Sequence, residues 1–326
     1  MILLLVSIVF LIVRVLPGDP ALLHFGKQVN PKALAEVKHA LGLDVPIYVQ
    51  YYNYVVGLFH GNLGIAFSNE QPVAPQVLSA FPATLELSIC SMFVAVSVGV
   101  VLGVTSSRKY GSRGDTIIRT FGVVLYSIPV FFLGLILIAI FAIGLHILPS
   151  GERISVLIPT GTTIFGVHIQ TGLYTVDSLL AGNLGEFVDA VRHLILPSLA
   201  LGLYISAVFL RITRSNMLEA LSQEYVTAAK ARGLKERTVL YGYGLRNGFL
   251  PVLTIMGLEF AGLLGGAVLT ETTFAWNGLG TYIVTAITDR DYMAIQGAVV
   301  FFGIIVAIVS LVVDVSYAYL DPRIRY

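Results

Sequence analysis

Residues 84–106 read TLELSICSMFVAVSVGVVLGVTS, and Glu86 is the only charged residue among them. A helix needs about 20 mostly apolar residues to cross roughly 30 Å of hydrocarbon. This stretch reaches that length and contains no proline. It therefore predicts a helix that spans a membrane.

Further apolar runs lie at 117–145, 194–210, 249–269 and 293–319. A sixth run, 1–16, would span only about 24 Å at 1.5 Å per residue and has no basic residues before it, so we expect it to be incomplete at its start. The alternative for this run is a cleaved signal peptide, but a positively charged n-region and a small-residue cleavage site are missing. We expect one domain, residues 1–326, with six transmembrane helices.

Composition supports a membrane protein. Hydrophobic residues make up 56% of the chain and charged residues 12%, whereas soluble domains have about 25% charged residues. The net charge of +1 gives no field that would attract nucleic acid. The single cysteine, Cys90, excludes a disulfide within the chain, and the scattered histidines lack zinc-ligand spacing, so we expect no metal site.

Basic residues are divided unevenly between the two sides that six crossings define. One side holds Arg108, Lys109, Arg113, Arg119, Arg211, Arg214, Lys230, Arg232, Lys235, Arg237, Arg246, Arg323 and Arg325; the other holds Lys27, Lys32, Lys38, Arg153, Arg192 and Arg290. The richer side should be cytoplasmic, with both termini on it. The long segments 17–82 and 147–193 then lie outside, where we expect an ordered cap, with a helix near 31–41, rather than flexible connectors.

The inner loop, residues 215–247, contains a polar, helix-prone segment that ends at Gly233. Ala228, Ala229 and Ala231 predict a narrow, smooth helix surface that can enter a cleft on another protein, with Lys230 at its rim. A glycine just past a helix end adopts the left-handed conformation without steric cost, so the helix should stop there.

Ala228-Ala229-x3-Gly233 resembles the Glu-Ala-Ala-x3-Gly motif of the inner-membrane permeases of binding-protein-dependent ABC importers. Glu224 stands four residues before Ala228, as in the dipeptide and oligopeptide (peptide/nickel-type) branch, and Leu250-Pro251 follows later than in the general pattern, again as in that branch. Other segments resemble the peptide-permease pattern in order: Leu16-Pro17-Gly18-Asp19-Pro20, Gly61-Asn62-Leu63-Gly64, Thr84-Leu85-Glu86-Leu87, Arg211-Ile212-Thr213-Arg214-Ser215, Leu245-Arg246-Asn247, Thr270-Glu271, Gly278-Leu279-Gly280 and Leu320-Asp321-Pro322-Arg323-Ile324-Arg325. The second long segment, with Thr171-Gly172-Leu173 and Asp189-Ala190-Val191-Arg192-His193, is most similar to that of the dipeptide permeases.

This resemblance implies an all-α, polytopic type I ABC importer permease fold in the cell membrane. It also implies a second homologous permease, two ABC ATPase subunits and an extracytoplasmic substrate-binding protein, which together import dipeptides or short oligopeptides. Because relatives in this branch carry nickel, glutathione or oligosaccharides, the alternative substrates are oligosaccharides, nickel chelates and glutathione. The residues implied to contact an ATPase subunit are Glu224, Tyr225, Ala228, Ala229, Lys230, Arg232, Gly233 and Leu234.

The chain itself should be non-catalytic and carry no cofactor. It contains no Gly-x4-Gly-Lys-[Ser/Thr] phosphate loop, so Mg-ATP is expected on the partner ATPase subunits. The alternatives are a membrane-embedded enzyme and a partner-independent channel or secondary transporter. Paired catalytic groups inside the membrane would indicate the enzyme, and several intramembrane ionisable residues or inverted repeats would indicate the transporter. The alanine-rich inner loop has no purpose in either alternative.

Four acidic residues are candidates for lining the transport pathway. Glu259 and Asp314 fall within apolar runs, where a charge costs at least about 2.5 kcal/mol, and Glu271 and Glu86 lie nearer helix ends. The alternative for Glu259 and Asp314 is that each pairs with an arginine or a backbone group. For Glu271 and Glu86 we expect contact with the outer vestibule. Pro129 should kink the third helix, and the glycine pairs at 99/103 and 262/266 have the spacing of close helix packing.

Overall fold

The computed structural model describes residues 2–15, 44–155, 162–164, 167–265 and 267–320. Its helices are α1 Ile2–Val15, α2 Ile47–Phe59, α3 Val73–Arg108, α4 Arg113–Ser127, α5 Val130–Leu137, π1 Ile138–Gly144, α6 Tyr174–Leu180, α7 Leu184–Leu221, α8 Glu224–Ala231, π2 Thr238–Leu245, α9 Arg246–Gly248, α10 Leu250–Leu264, α11 Val268–Thr273, α12 Leu279–Thr288 and α13 Tyr292–Leu320. Strands β1 Thr162–Ile164 and β2 Val167–Ile169 form an antiparallel hairpin in which Thr162 pairs with Ile169. This hairpin is the one departure from the all-α expectation in the part of the chain described.

Helices α3 and α7 are the central pair of the fold. At 1.5 Å per residue, 36 and 38 residues extend about 54 and 57 Å, well beyond the hydrocarbon thickness. Helix α3 begins at Val73, before the predicted span 84–106, and continues through Pro82. Val73 and Val77 are fully buried, and this packing stabilises the extra turns although Pro82 removes a backbone donor.

Glycines allow α3 and α7 to approach closely, as their spacing predicts. A Cβ at Gly99 would lie 2.5 Å from the Cβ of Phe209 and 2.7 Å from the carbonyl oxygen of Ser206. Of the second glycine pair, residue 266 lies outside the described residues, and a Cβ at Gly262 would meet nothing within 4 Å among the residues described.

Replacing Gly99 by valine is expected to destabilise the assembled protein by about 1–3 kcal/mol, since the two helices must separate to admit the side chain. Gly262→Val is the matched control, because it adds the same side chain to a helix interior with open space around it. Fluorescence-detected thermal unfolding in detergent compares the two variants. Equal midpoints would contradict the close packing.

The third predicted span is broken rather than kinked. Helix α4 ends where Ile128 takes an extended conformation (φ −82°, ψ 125°) before Pro129, and α5 then starts at an angle of 101° to α4. The ring of a proline disfavours the helical conformation of the residue before it, which explains the position of the break. The kink predicted at Pro129 is therefore a full break between α4 and α5.

Three described helices, α3, α7 and α13, are long and apolar enough to cross a membrane. Two bent pairs could each supply one more span: α4 with α5 and π1, and π2 and α9 with α10, which meet at 56°. Helix α1 is apolar but has only 14 residues. The runs predicted at 84–106, 194–210 and 293–319 thus each fall within one continuous helix, whereas 249–269 divides into α10 and the short α11.

The described parts of the two long segments predicted outside are folded against the helices. Helix α2 packs near α1, where Tyr51 stacks edge-on against Phe10 with ring centroids 5.3 Å apart. In the second segment, His193 hydrogen-bonds the Ser155 side chain at 2.7 Å and the Gly151 carbonyl oxygen at 2.7 Å. The helix predicted at 31–41 lies outside the described residues.

Candidate functional site: a surface helix and a polar cavity at opposite ends of the helices

Helix α8 is a short helix with a defined end. Gly233 has φ +74°, its N–H donates to the Lys230 carbonyl, and the N–H of Leu234 donates to the Ala229 carbonyl. These two bonds form the Schellman motif, which satisfies the last carbonyl groups of a helix. Glu224 in the first turn places negative charge beside the positive end of the helix dipole. The stop predicted at Gly233 is confirmed.

One face of α8 packs against the chain itself. Val226 and Ala229 are buried with Val239 of π2, and Leu221 and Tyr243 pack around them. The sequence interpretation placed Ala229 on the outward surface, and this is wrong, because its side chain is only 3% exposed. Positions 226 and 229 share one side of a helix, so burial of Val226 also turns Ala229 inward.

The opposite face of α8 is open to solvent and consists of small and polar side chains. The exposed residues among those predicted to contact an ATPase subunit are Glu224, Tyr225, Ala228, Lys230, Arg232, Gly233 and Leu234. Ala231 is exposed as well. The exposed face of α8, here called the ridge, is therefore smooth and charged at its ends, while the opposite face is fixed by packing against π2.

Two ion pairs lie at the α8 end of the long helices. Arg108 at the end of α3 donates two hydrogen bonds to Glu236, at 2.8 and 2.9 Å, and this contact lowers the pKa of the Glu236 carboxyl. Arg214 of α7 donates two bonds of 2.9 Å to Asp115 of α4. The exposed first pair contributes little to stability, whereas the second is mostly buried.

Glu86 is buried and fully engaged inside the chain. Its carboxylate pairs with Arg153 at 2.7 Å and accepts bonds from the backbone N–H (2.9 Å) and hydroxyl (2.6 Å) of Thr175. Glu86 and Arg153 are 6% and 8% exposed. The expectation that Glu86 contacts the outer vestibule is therefore wrong, because Arg153 and Thr175 enclose its carboxylate within this chain.

Glu271 is also an internal group. It is fully buried, accepts a 2.6 Å bond from the Thr84 hydroxyl, and accepts a 2.9 Å bond from the N–H of Thr281 in the first turn of α12. A Cβ at Gly278 would lie 2.6 Å from one carboxylate oxygen, and one at Gly280 would lie 2.9 Å from the other. The Gly278-Leu279-Gly280 motif thus makes room for Glu271, which does not line a pathway within this chain.

The other two acidic candidates differ. Glu259 on α10 is partly exposed and, among the residues the structure describes, forms no hydrogen bond or ion pair. It stays a candidate for pathway lining. Asp314 lies on α13, but its side chain falls outside what the structure describes.

A large polar cavity lies at the opposite end of the helices from α8, with a volume of about 990 Å³. Its lining includes Gln76, Glu152, Arg153, Asn277 and Asp289. The guanidinium of Arg153 stacks 3.6 Å from the ring centre of Tyr174, which also lines the cavity. These cavity residues are absent from the sequence candidates because they are separate polar residues in loops and helix ends, without a shared motif.

Several non-glycine residues in the left-handed conformation lie at this cavity. Glu152 (φ 65°) and Ala275 (φ 48°) line it, and Glu70 (φ 56°) and Arg290 (φ 56°) are sequence neighbours of lining residues. Such conformations cost about 1–3 kcal/mol each and cluster at functional sites. In the described part of the chain, groups of three or more His, Cys, Asp or Glu side chains able to hold a metal are not found.

Comparison with known proteins identifies the family. Residues 96–326 match the family of binding-protein-dependent transport system inner membrane components, and residues 1–88 match the N-terminal family of the same membrane components. The chain is 42% identical over 318 residues to the di/tripeptide transport system permease protein DppB of Pseudomonas aeruginosa (strain UCBPP-PA14), covering 97% of this chain and 93% of that one. It is 36% identical to the glutathione transport system permease protein GsiC of Salmonella typhi, covering 98% and 93%.

The fold agrees with a solved transporter. An inward-facing structure of the MetNI methionine ABC transporter superposes with a TM-score of 0.56 at 12% identity, covering 76% of this chain and 96% of that one. At such low identity this likeness concerns the fold, which is the type I ABC importer permease fold. The chain is a non-catalytic, multi-pass membrane protein that belongs to the family of binding-protein-dependent transport system inner membrane components.

Proposed function

We propose that this chain is one half of the pore of an ABC importer that moves dipeptides or short oligopeptides into the cell. The observation that carries the proposal is α8, whose smooth outer face is exposed while Val226 and Ala229 anchor its back. A partner-independent channel has no use for such a helix. A transporter driven by another subunit needs one, because force must enter the membrane domain through a stiff contact.

In this proposal the exposed face of α8 lies in a groove of an ATPase subunit that binds Mg-ATP. Ala228 fills the centre of the groove, Tyr225 supplies aromatic contact area, and Lys230 and Arg232 meet acidic groups at its rim. Closure of the two ATPase subunits would move α8, and π2 and α10 would follow because Val239 packs against the back of α8.

The surplus of Lys and Arg on the α8 side supports placing α8 and both termini in the cytoplasm. The 990 Å³ cavity then faces outward, where a substrate-binding protein would release its cargo. A second, homologous permease would complete the pathway on the open side of this cavity.

Peptides suit the chemistry of the cavity. Neutral hydrogen-bonding side chains such as Gln76 and Asn277 can contact peptide groups, and the exposed carboxylates of Glu152 and Asp289 can attract an α-ammonium. The charge of Arg153 is balanced by Glu86. Relatives named for di/tripeptides and for glutathione, itself a short peptide, agree with this class, and oligosaccharides and nickel chelates are the alternatives.

Purification of the tagged chain in a mild detergent is expected to recover a second permease and two ATPase subunits. The complex, reconstituted with its binding protein, should accumulate a radiolabelled dipeptide only when Mg-ATP is present. Vesicles with the permeases alone are the control, and transport by them at the same rate would refute the proposal.

Competition between unlabelled compounds and the radiolabelled dipeptide tests the identity of the substrate separately from the ATP-driven mechanism. Unlabelled dipeptides are expected to suppress uptake, while a nickel chelate and an oligosaccharide leave it unchanged. ATP-dependent uptake of one of those compounds in place of dipeptides would retain the importer and overturn the peptide substrate.

A further inference from the structure

A second pocket, of about 390 Å³, lies between α4 and α7 on the same side as α8. Arg119, Arg211 and Arg214 lie along it, and Val123, Tyr126 and Val208 supply apolar walls. The pocket thus combines concentrated positive charge with apolar surface. It shares none of its lining residues with the outer cavity.

The three arginines are not equivalent. Arg214 is neutralised by its two bonds to Asp115. Arg119 and Arg211 are exposed and form no hydrogen bond or ion pair with any residue that the structure describes. Two uncompensated cations therefore border the pocket, and a ligand bound there should carry an anion that accepts several hydrogen bonds, such as a phosphate.

The apolar part of the pocket indicates what the phosphate is attached to. Val123 and Tyr126 are more than half exposed, and the same helix also exposes Ile117 and Phe121. Helix α4, with apolar residues and arginines both at its surface, has the composition of a helix that lies at the membrane interface. The Tyr126 ring stacks on Tyr204 of α7, with centroids 5.5 Å apart, and this forms a flat wall for an acyl chain.

We propose that this pocket binds the phosphate headgroup of an anionic phospholipid, with Arg119 and Arg211 as its ligands and the acyl chains against Val123 and Tyr126. Anionic lipids populate the cytoplasmic leaflet, so the choice of leaflet rests on the proposed orientation, while the site itself does not depend on the cargo. A lipid here would join α4 to α7, which the Asp115–Arg214 pair already connects nearby.

The test uses the whole complex, first exchanged into phosphatidylcholine nanodiscs and then titrated with phosphatidylglycerol, with bound lipid measured by native mass spectrometry. Arg119→Gln with Arg211→Gln is expected to weaken phosphatidylglycerol binding about 5- to 30-fold, since each cation contributes about a factor of five. The Arg119→Lys and Arg211→Lys pair keeps both charges and should retain most of the binding, which guards against misfolding as the cause.

The matched control removes two arginines outside the pocket, Arg113→Gln with Arg237→Gln, both exposed. An equal loss of phosphatidylglycerol in this control would overturn the site, because surface charge alone would then explain the binding. Displacement of the lipid by millimolar inorganic phosphate would also overturn it, in favour of a site for free phosphate. The lipid readout is independent of transport, so a failure here leaves the proposed import function untouched.

Discussion

Replacing Ala228 by tryptophan is expected to reduce ATP-driven uptake about 30-fold, the effect of losing a contact at the centre of an interface. Ala228 is exposed in this chain, so the larger side chain meets only solvent until an ATPase subunit approaches. The tryptophan would then occupy space that the groove needs, and α8 could not seat. Uptake by reconstituted vesicles and ATP hydrolysis by the same vesicles measure the effect.

The expected pattern is loss of uptake together with hydrolysis that no longer responds to the loaded binding protein, or loss of the ATPase subunits from the complex. The matched control is Ala181→Trp, which adds the same bulk at an exposed alanine just past α6, away from α8. The control should transport normally and unfold at the same temperature as the parent. Normal uptake by Ala228→Trp would refute the role of the ridge.

The turn that ends α8 could be predicted from the sequence, but the face of the helix could not. Gly233 follows a helix-prone segment, and only glycine adopts φ +74° without strain, so a local rule was sufficient. The inward face depends on Val239, which follows in the next helical segment and packs on Val226 and Ala229. An eight-residue helix rich in alanine has too little contrast in hydrophobicity to fix its orientation.

The broken third span has a similar explanation. The rule for the residue before a proline locates the break at Ile128, because the position depends on local sterics. The angle of 101° does not follow from that rule, since it reflects how α4 and α5 each pack on α7. Pro82 shows the converse, because α3 continues through it where packing over Val73 and Val77 outweighs the lost hydrogen bond.

The roles of the acidic residues could be assigned only from the three-dimensional structure. Glu86 and Glu271 are candidates in the sequence because they are acidic residues near the ends of apolar runs, but position along the chain cannot tell a pathway group from a group that stabilises the fold. Arg153, the partner of Glu86, lies 67 residues further along the chain. The glycines at 278 and 280 make room for the Glu271 carboxylate, and this role follows only from the fold that brings them beside it.

Removing Arg153 is expected to have the largest effect on stability. Arg153→Met leaves the Glu86 carboxylate buried without its cation, and breaking a buried pair in this way costs about 3–5 kcal/mol. The substitution also removes the hydrogen bond from Arg153 to the Gly172 carbonyl oxygen, 2.9 Å long, and the stacking on Tyr174. Fluorescence-detected thermal unfolding of the purified complex measures the loss.

A control variant separates the loss of the buried ion pair from the general effect of removing an arginine. Arg108→Met removes an arginine from the exposed pair with Glu236, and should leave the unfolding temperature almost unchanged because water screens that pair. Adding Glu86→Gln to Arg153→Met removes the uncompensated charge while keeping an oxygen to accept from Thr175, so the double variant should regain part of the lost stability. If Arg153→Met unfolds at the same temperature as Arg108→Met, the Glu86–Arg153 pair does not hold the segment that contains Arg153 on α3. If the double variant is less stable than Arg153→Met alone, the loss comes from packing around Tyr174 and not from the buried charge.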